Sequence, residues 1–314
     1  MMAAIRSRTP TMSASSDSLK SIFFALGANF AIALAKTAGA VFTGSSSMLA
    51  EAIHSYADCA NQGLLIWGLK EGRRSPTADH PLGYGKAIYF WSFIVALMLF
   101  SMGGLFSIYE GVHKLQGSEP IRYAYVAMGI LVFGIAAESV SLWGCLREVN
   151  KERGAGQSLW SWFRSSRQSE LLVVLGEDLA ALGGLTLALV FIGLAVATGD
   201  PRWDAAGSIA IGVLLIVVAV LVGVEVKALL VGQSAEPRLL EAMRAHLKAQ
   251  PDVLELYNLL TQQLGSEVMV AVKARMARQP SDVALVEAIN RVERGLRSAF
   301  PAVRWVFFEP DVAD

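Results

Sequence analysis

Apolar positions along the chain gather into six long blocks, roughly 20–42, 47–69, 88–110, 123–146, 170–197 and 204–231. Each is close to the run of about 20 residues that a helix needs to cross the hydrocarbon core of a bilayer. The polar connectors between them differ in charge. TGSSS, between the first two blocks, carries none, whereas the connector after the second holds Lys70, Arg73, Arg74 and Lys86, and the stretch after the fourth holds Arg147, Lys151, Arg153, Arg164 and Arg167. With Arg6, Arg8 and Lys20, these cations all fall on one side if six spans alternate, and the positive-inside rule then puts both termini in the cytoplasm. The connector at 147–169 also contains SLWSWFRSSR, whose Trp160, Trp162 and Phe163 beside arginines suit either a segment at headgroup level or a loop packed on the soluble part.

After Gly232 the pattern becomes that of a soluble domain. LLEAMRAHLKAQ follows Pro237 with apolar residues at helical spacing, and Pro early in a helix costs little because its missing N–H had no partner there. Two extended stretches follow, 253–262 and 267–276, the second alternating through Val268, Val270, Val272 and Ala274. An amphipathic helix over 282–299 starts after Ser281 as its N-cap, and VRWVFFE closes as a strand. The order α-β-β-α-β predicts a small α+β, ferredoxin-like unit. The expected organisation is a disordered tail at 1–17, a membrane α-helical domain of six spans at 18–232 and a cytoplasmic α+β domain at 233–314.

Composition agrees with a bilayer setting. Of the 314 residues 54% are hydrophobic and 17% charged, against about 25% charged in an ordinary soluble domain. Net charge is zero, so the clustered Lys and Arg that bind phosphate backbones are missing and a nucleic-acid partner is not expected. Cys59 and Cys145, the only cysteines, sit in apolar runs without the spacing of a disulfide framework or a CxxC zinc site. Residues 1–17 lack the long apolar core of a signal peptide but, being Arg- and Ser-bearing and free of acids before Asp17, leave a transit peptide open. The expected location is the plasma (inner) membrane, with an organelle membrane as the alternative.

Charged groups inside spans are costly and therefore functional by default. In the second block, LAEAIHSYADCANQ sets Glu51, His54 and Asp58 at offsets of three and four, on one helical face, so that His54 and Asp58 can chelate one ion. In the fifth, Glu177 and Asp178 lie deep in an apolar run. Asp58 is about eleven residues from the cytoplasmic end of its span and Asp178 about eight to ten from its own, so the depths match. One imidazole and two or three carboxylates at a common depth suit a borderline divalent cation. The rival reading of His54 and Asp58 is a helix-packing hydrogen bond. Lys36 lies at the level of Glu51, so a Lys36–Glu51 pair is the structural reading for both, ahead of a ligand role for Glu51. Glu138, about a turn nearer the cytoplasm, either guides ions or protons inward or hydrogen-bonds Ser139, Ser141 or a neighbouring helix. His80 sits in a loop where Pro81, Gly83 and Gly85 predict a tight turn; His113 and His246 read as solvated or turn-stabilising.

These residues resemble the cation diffusion facilitator family of zinc and related metal transporters, and in particular its branch of mitochondrial zinc exporters. The resemblance runs from about Ser18 onward, through SSSMLAEAIHSYAD with its HxxxD at His54 and Asp58, DHPLGYGK at 79–86, IYEGVHKL at 108–115 and WDAAGSIAIG at 203–212. It implies six spans with a cytoplasmic α-β-β-α-β domain, a homodimer joined through that domain, and metal export in exchange for protons. Three features depart from the family pattern. Val174 stands where most members carry a fifth-span ligand, with Glu177 as the substitute; Tyr84 replaces a loop histidine, weakening any loop site at His80; and the tail strands offer only Glu309 and Asp311 where other members bind regulatory zinc.

The expected mechanism is antiport. A site of His54, Asp58, Asp178 and Glu177 must shed protons to coordinate metal, so metal and protons exclude one another, and rocking between inward and outward states exchanges them about a midplane site. The metal is cargo, H+ the counter-ion, and no catalytic cofactor is expected. The alternatives are the same fold carrying manganese, iron(II) or cobalt, or a membrane-bound metal receptor that does not transport. An enzyme is not expected, because GxSxG, HExxH and phosphate-cradling loops are missing.

Overall fold

A computed structural model describes residues 14–116, 123–154 and 156–313, with side chains from residue 29 onward. The tail expected at 1–17 lies outside the described residues as far as residue 13. From there the chain forms α1 (Ala14–Thr43), α2 (Ser46–Gly72), α3 (Ala87–Met98), a π-helical segment (Leu99–Leu105), α4 (Phe106–Leu115), α5 (Ala124–Glu152), α6 (Leu159–Ser165), α7 (Ser169–Thr198) and α8 (Arg202–Val231). The C-terminal part adds α9 (Pro237–Lys248), β1 (Val253–Leu264), β2 (Glu267–Met276), α10 (Asp282–Ala299) and β3 (Val303–Pro310).

Among the described residues four helical runs are long and apolar enough to cross a membrane, Ala87–Leu115, Ala124–Glu152, Ser169–Thr198 and Arg202–Val231. The expected count of six is therefore met by four on length and composition. At 27 residues α2 has the length, about 40 Å, but Glu51, Asp58, Lys70 and Glu71 dilute its apolar character. The apolar surfaces of the bundle face outward. On α8, Val213, Val217, Val220 and Val224 repeat at helical spacing with about half of each exposed, a stripe that suits lipid and not water.

Small residues set the helix separations inside. Gly104 and Gly212 bring the third run and α8 so close that a Cβ on Gly212 would stand 2.6 Å from the Gly104 carbonyl oxygen, and one on Gly111 would stand 2.7 Å from that of Ala205. Such close backbone approach is how small residues pack helices in lipid. The π-helical turn falls where the third run passes α2 and α8, with Gly103 facing His54.

At the end of the bundle remote from β1–β3, Asp204 at the head of α8 is fully buried and caps α2. It accepts from Ser45 Oγ at 2.7 Å, Ser46 N at 2.8 Å, Ser46 Oγ at 3.0 Å and Ser47 N at 3.3 Å. Its carbonyl accepts from Ser47 Oγ, and Lys114, which also donates to the Gly44 carbonyl, stands 3.9 Å from its carboxylate. A carboxylate at a helix N-terminus meets both the free N–H groups and the positive end of the dipole. Asp204→Ala is expected to cost about 3–5 kcal/mol, because it strands these donors in a dry site. A detergent-solubilised variant that melts with wild type would remove this latch from the account.

The C-terminal part has the order α-β-β-α-β. Its sheet runs β1-β2-β3, with β1 antiparallel and β3 parallel to β2. Val268, Val270, Val272 and Ala274 point to one face and are buried with Met243, Leu247, Val292 and Leu296 of α9 and α10. The β1–β2 hairpin turns at Gly265, whose φ of +67° favours glycine, and docks on the head of α3. Gly265 N donates to Tyr89 Oη at 2.9 Å. Arg167, in the connector before α7, donates to the Ser234 carbonyl at 2.8 Å, and burial lowers its pKa.

Candidate metal centre

The centre is built on α2. Ser45 starts the helix by accepting from Met48 N, and from there Glu51, His54, Asp58 and Asn61 follow at offsets of three and four down one face. All four are buried, His54 and Asn61 completely and Asp58 to within 8%. His54 Nδ1 lies 3.5 Å from Asp58 Oδ1, too long for a hydrogen bond. Neither ring nitrogen of His54 nor Oδ1 of Asp58 has a hydrogen-bond partner among the described residues. Across the helix interface, a Cβ on Gly103 would stand 3.9 Å from His54 Nδ1, so this glycine leaves room beside the imidazole.

The two adjacent carboxylates of α7, Glu177 and Asp178, point in two directions, since consecutive residues on a helix diverge by about 100°. Glu177 turns to α2 and accepts from Asn61 Nδ2 at 2.6 Å. Asp178 turns to α5 and accepts from Ser141 Oγ at 3.1 Å, leaving its Oδ2 without a partner. Val174 is packed among apolar side chains. Among the described residues no three of the His, Cys, Asp and Glu side chains are gathered closely enough to hold one ion. His54 and Asp58 stand together on α2, Glu177 is bonded to Asn61 one turn further along that helix, and Asp178 is directed to α5. Glu138 on α5 is an electrostatic neighbour of Asp58, Glu177 and Asp178. Ser139 donates to the Ile135 carbonyl and Ser141 to Asp178, so neither serine serves Glu138.

One turn along α2 from His54, away from Asp58, Lys36 Nζ lies 3.2 Å from Glu51 Oε2 and 2.7 Å from Ser55 Oγ, all buried. Gly184 of α7 passes over this pair so closely that a Cβ there would stand 2.3 Å from Glu51 Oε1.

The other candidates lie apart. His80 is exposed in a turn closed by Thr77 and stacks on Tyr84 with centroids 4.4 Å apart. His113 stacks on Tyr109, and His246 contacts Gln250 and Phe300. In the C-terminal part Asp311 accepts from Val312 N at 2.7 Å and pairs with Lys273 at 3.1 Å. The backbone N–H first and the lysine second hold its carboxyl below the usual carboxylate range. Both cysteines are free thiols, Cys145 buried and Cys59 half-buried.

Asn61 and Ser141 were not among the expected site residues. Asn61 was visible in principle, since it continues the offset of three that links His54 to Glu51. Ser141 was not, because its role depends on the rotation of α5 against α7.

The model of the cation efflux transmembrane domain matches residues 22–231, α1 to α8. The human mitochondrial proton-coupled zinc antiporter SLC30A9 is 34% identical over 227 residues, which are 72% of this chain and 40% of that protein. Metal tolerance protein C4 of Arabidopsis thaliana is 31% identical over 250 residues, 79% and 54% of the two chains. The zinc transporter ZitB of Escherichia coli is 24% identical over 200 residues, 64% and 60% of the two chains. The matched regions therefore span about half the length of these relatives.

Proposed function

Because the chain belongs to the cation efflux family, we propose that it carries a divalent transition metal, zinc foremost, across a membrane in exchange for protons, through a centre of His54, Asp58, Glu177 and Asp178. The observation that carries this reading is the buried His54, whose two nitrogens lack partners among the described residues while a carboxylate stands 3.5 Å away. A buried polar group without a partner is costly, and a cation between imidazole and carboxylate removes that cost. The names of the relatives support the choice of zinc, and that of the human relative supports proton coupling. As a transporter the protein needs no catalytic cofactor, and the metal is its cargo.

Ligands must be deprotonated to hold the ion, so a proton and the metal compete for the same atoms. Entry of the ion draws Asp58, Glu177 and Asp178 inward against their mutual repulsion, and protons arriving from the other side release it. α1 and α2, with the four strongly apolar runs, make six spans in this reading, and the connector cations put both termini on the cytoplasmic side. The mitochondrial name of the human relative supports an organelle membrane over the plasma membrane. The sheet face turned away from α9 and α10, where Leu260 and Phe307 are more than half exposed, supports a homodimer formed through a ferredoxin-like soluble part. A second reading is favoured by the donor set itself, in which three carboxylates accompany one nitrogen; oxygen donors also suit manganese.

The test is uptake by proteoliposomes with an imposed pH gradient. Acid-inside vesicles should accumulate zinc faster than vesicles without a gradient, and faster than they accumulate manganese, iron(II) or cobalt. Zinc binding without gradient-driven accumulation would leave a receptor and not a transporter.

A further inference from the structure

Asn61 is the one amide in the row Glu51, His54, Asp58 and Asn61, and it is fully buried. Its amide is half used. Nδ2 donates to Glu177 Oε1 at 2.6 Å, while Oδ1 has no partner among the described residues. A buried amide oxygen left unpaired costs free energy that its neighbours do not return. It stands one turn from Asp58, beside the only carboxylate of α7 that turns to α2. Val174, three residues before Glu177 on α7 and set among apolar side chains, has nothing to offer a cation.

We propose that Asn61 is a positioning and selectivity residue of the metal centre: its N–H holds Glu177 beside Asp58, and its carbonyl oxygen is the neutral donor that completes the set where Val174 provides none. The inference rests on the reading of His54 and Asp58 as ligands and deepens it by assigning the missing donor. A neutral oxygen adds no charge to a site already rich in carboxylates, so it completes coordination without adding to their repulsion. It also makes the set more oxygen-rich, which narrows the preference for zinc over manganese.

Two variants of the full chain in proteoliposomes and detergent test it, with zinc and manganese as probes. Asn61→Ala removes both interactions and should raise the zinc KM and weaken zinc binding about 10–100-fold, the usual effect of losing a residue that orients a metal ligand. Asn61→Asp preserves shape, so it tests the assignment even where Asn61→Ala fails to fold. By exchanging an amide for a hard anionic oxygen it should lower the ratio of zinc to manganese affinity severalfold, a change that a purely packing role would not produce. If Asn61→Asp, and Asn61→Ala where it folds, keep the wild-type affinity and metal ratio while His54→Ala is inactive, the role of Asn61 is overturned and the site stands. If His54→Ala itself transports normally, the underlying site is wrong.

Discussion

His54→Ala and Asp58→Ala should each abolish zinc-driven proton flux in proteoliposomes, a loss of at least about 100-fold on the scale of removing a buried metal contact. The expectation follows from how little else is available. His54 is the only imidazole of α2 and is enclosed on all sides, while His80, His113 and His246 lie apart in loop, helix-end and C-terminal contacts. Without it the centre retains only oxygens. Without Asp58 the carboxylate one turn away would be gone, and the proposed ligands Glu177 and Asp178 would approach the ion from one helix only. Both variants should fold, because among the described residues neither ring nitrogen of His54 nor Oδ1 of Asp58 makes a hydrogen bond whose loss would strand a partner. Zinc binding measured by calorimetry separates failure to bind from failure to move the ion. Undiminished flux in both variants would refute the assigned centre. Metal affinity in wild type should also fall as the pH is lowered, since the ligands then hold protons that the ion must displace.

Helices were legible to within a few residues because their signal is local. The run expected at 47–69 is the helix Ser46–Gly72, and that expected at 170–197 is Ser169–Thr198. The C-terminal sheet was legible for the same reason, since Val268, Val270, Val272 and Ala274 alternate on a strand of period two. The relation of His54 to Asp58 needed only the offset of four within one helix. What the chain did not display is the rotation of one helix against another. Glu177 and Asp178 are adjacent, and nothing in their spacing tells which turns to α2 and which to α5; packing decides it, through Asn61 and Ser141. Asp204 reaches the Ser45–Ser47 cap from 157 to 159 residues away, a distance at which no periodicity helps. The π-helical turn at Leu99–Leu105 was hidden as well, because a single widened turn in a uniformly apolar run leaves the hydrophobic pattern almost unchanged.

Lys36 and Glu51 provide the second large effect. Lys36→Met should destabilise the protein by about 3–5 kcal/mol, the range for stranding one partner of a buried ion pair. It leaves the Glu51 carboxylate with no cation at 3.2 Å and removes the donor to Ser55. Gly184 holds α7 too close for the carboxylate to swing away. Glu51→Gln should be costly for the mirror-image reason, leaving an ammonium group without its counter-charge. The double variant Lys36→Met, Glu51→Gln should recover most of the loss, since a neutral pair of similar volume carries no charge to desolvate. Thermal melting in detergent reads the cycle, and the departure from additivity measures the pairing itself. The same double variant decides what Glu51 is for. If the pair is structural, the stable double variant binds zinc about as well as wild type, because His54 and Asp58 keep their places one and two turns down the helix. If Glu51 is instead a ligand, zinc affinity collapses in a protein whose melting temperature has been restored, and the centre must then be extended one turn further from Asn61.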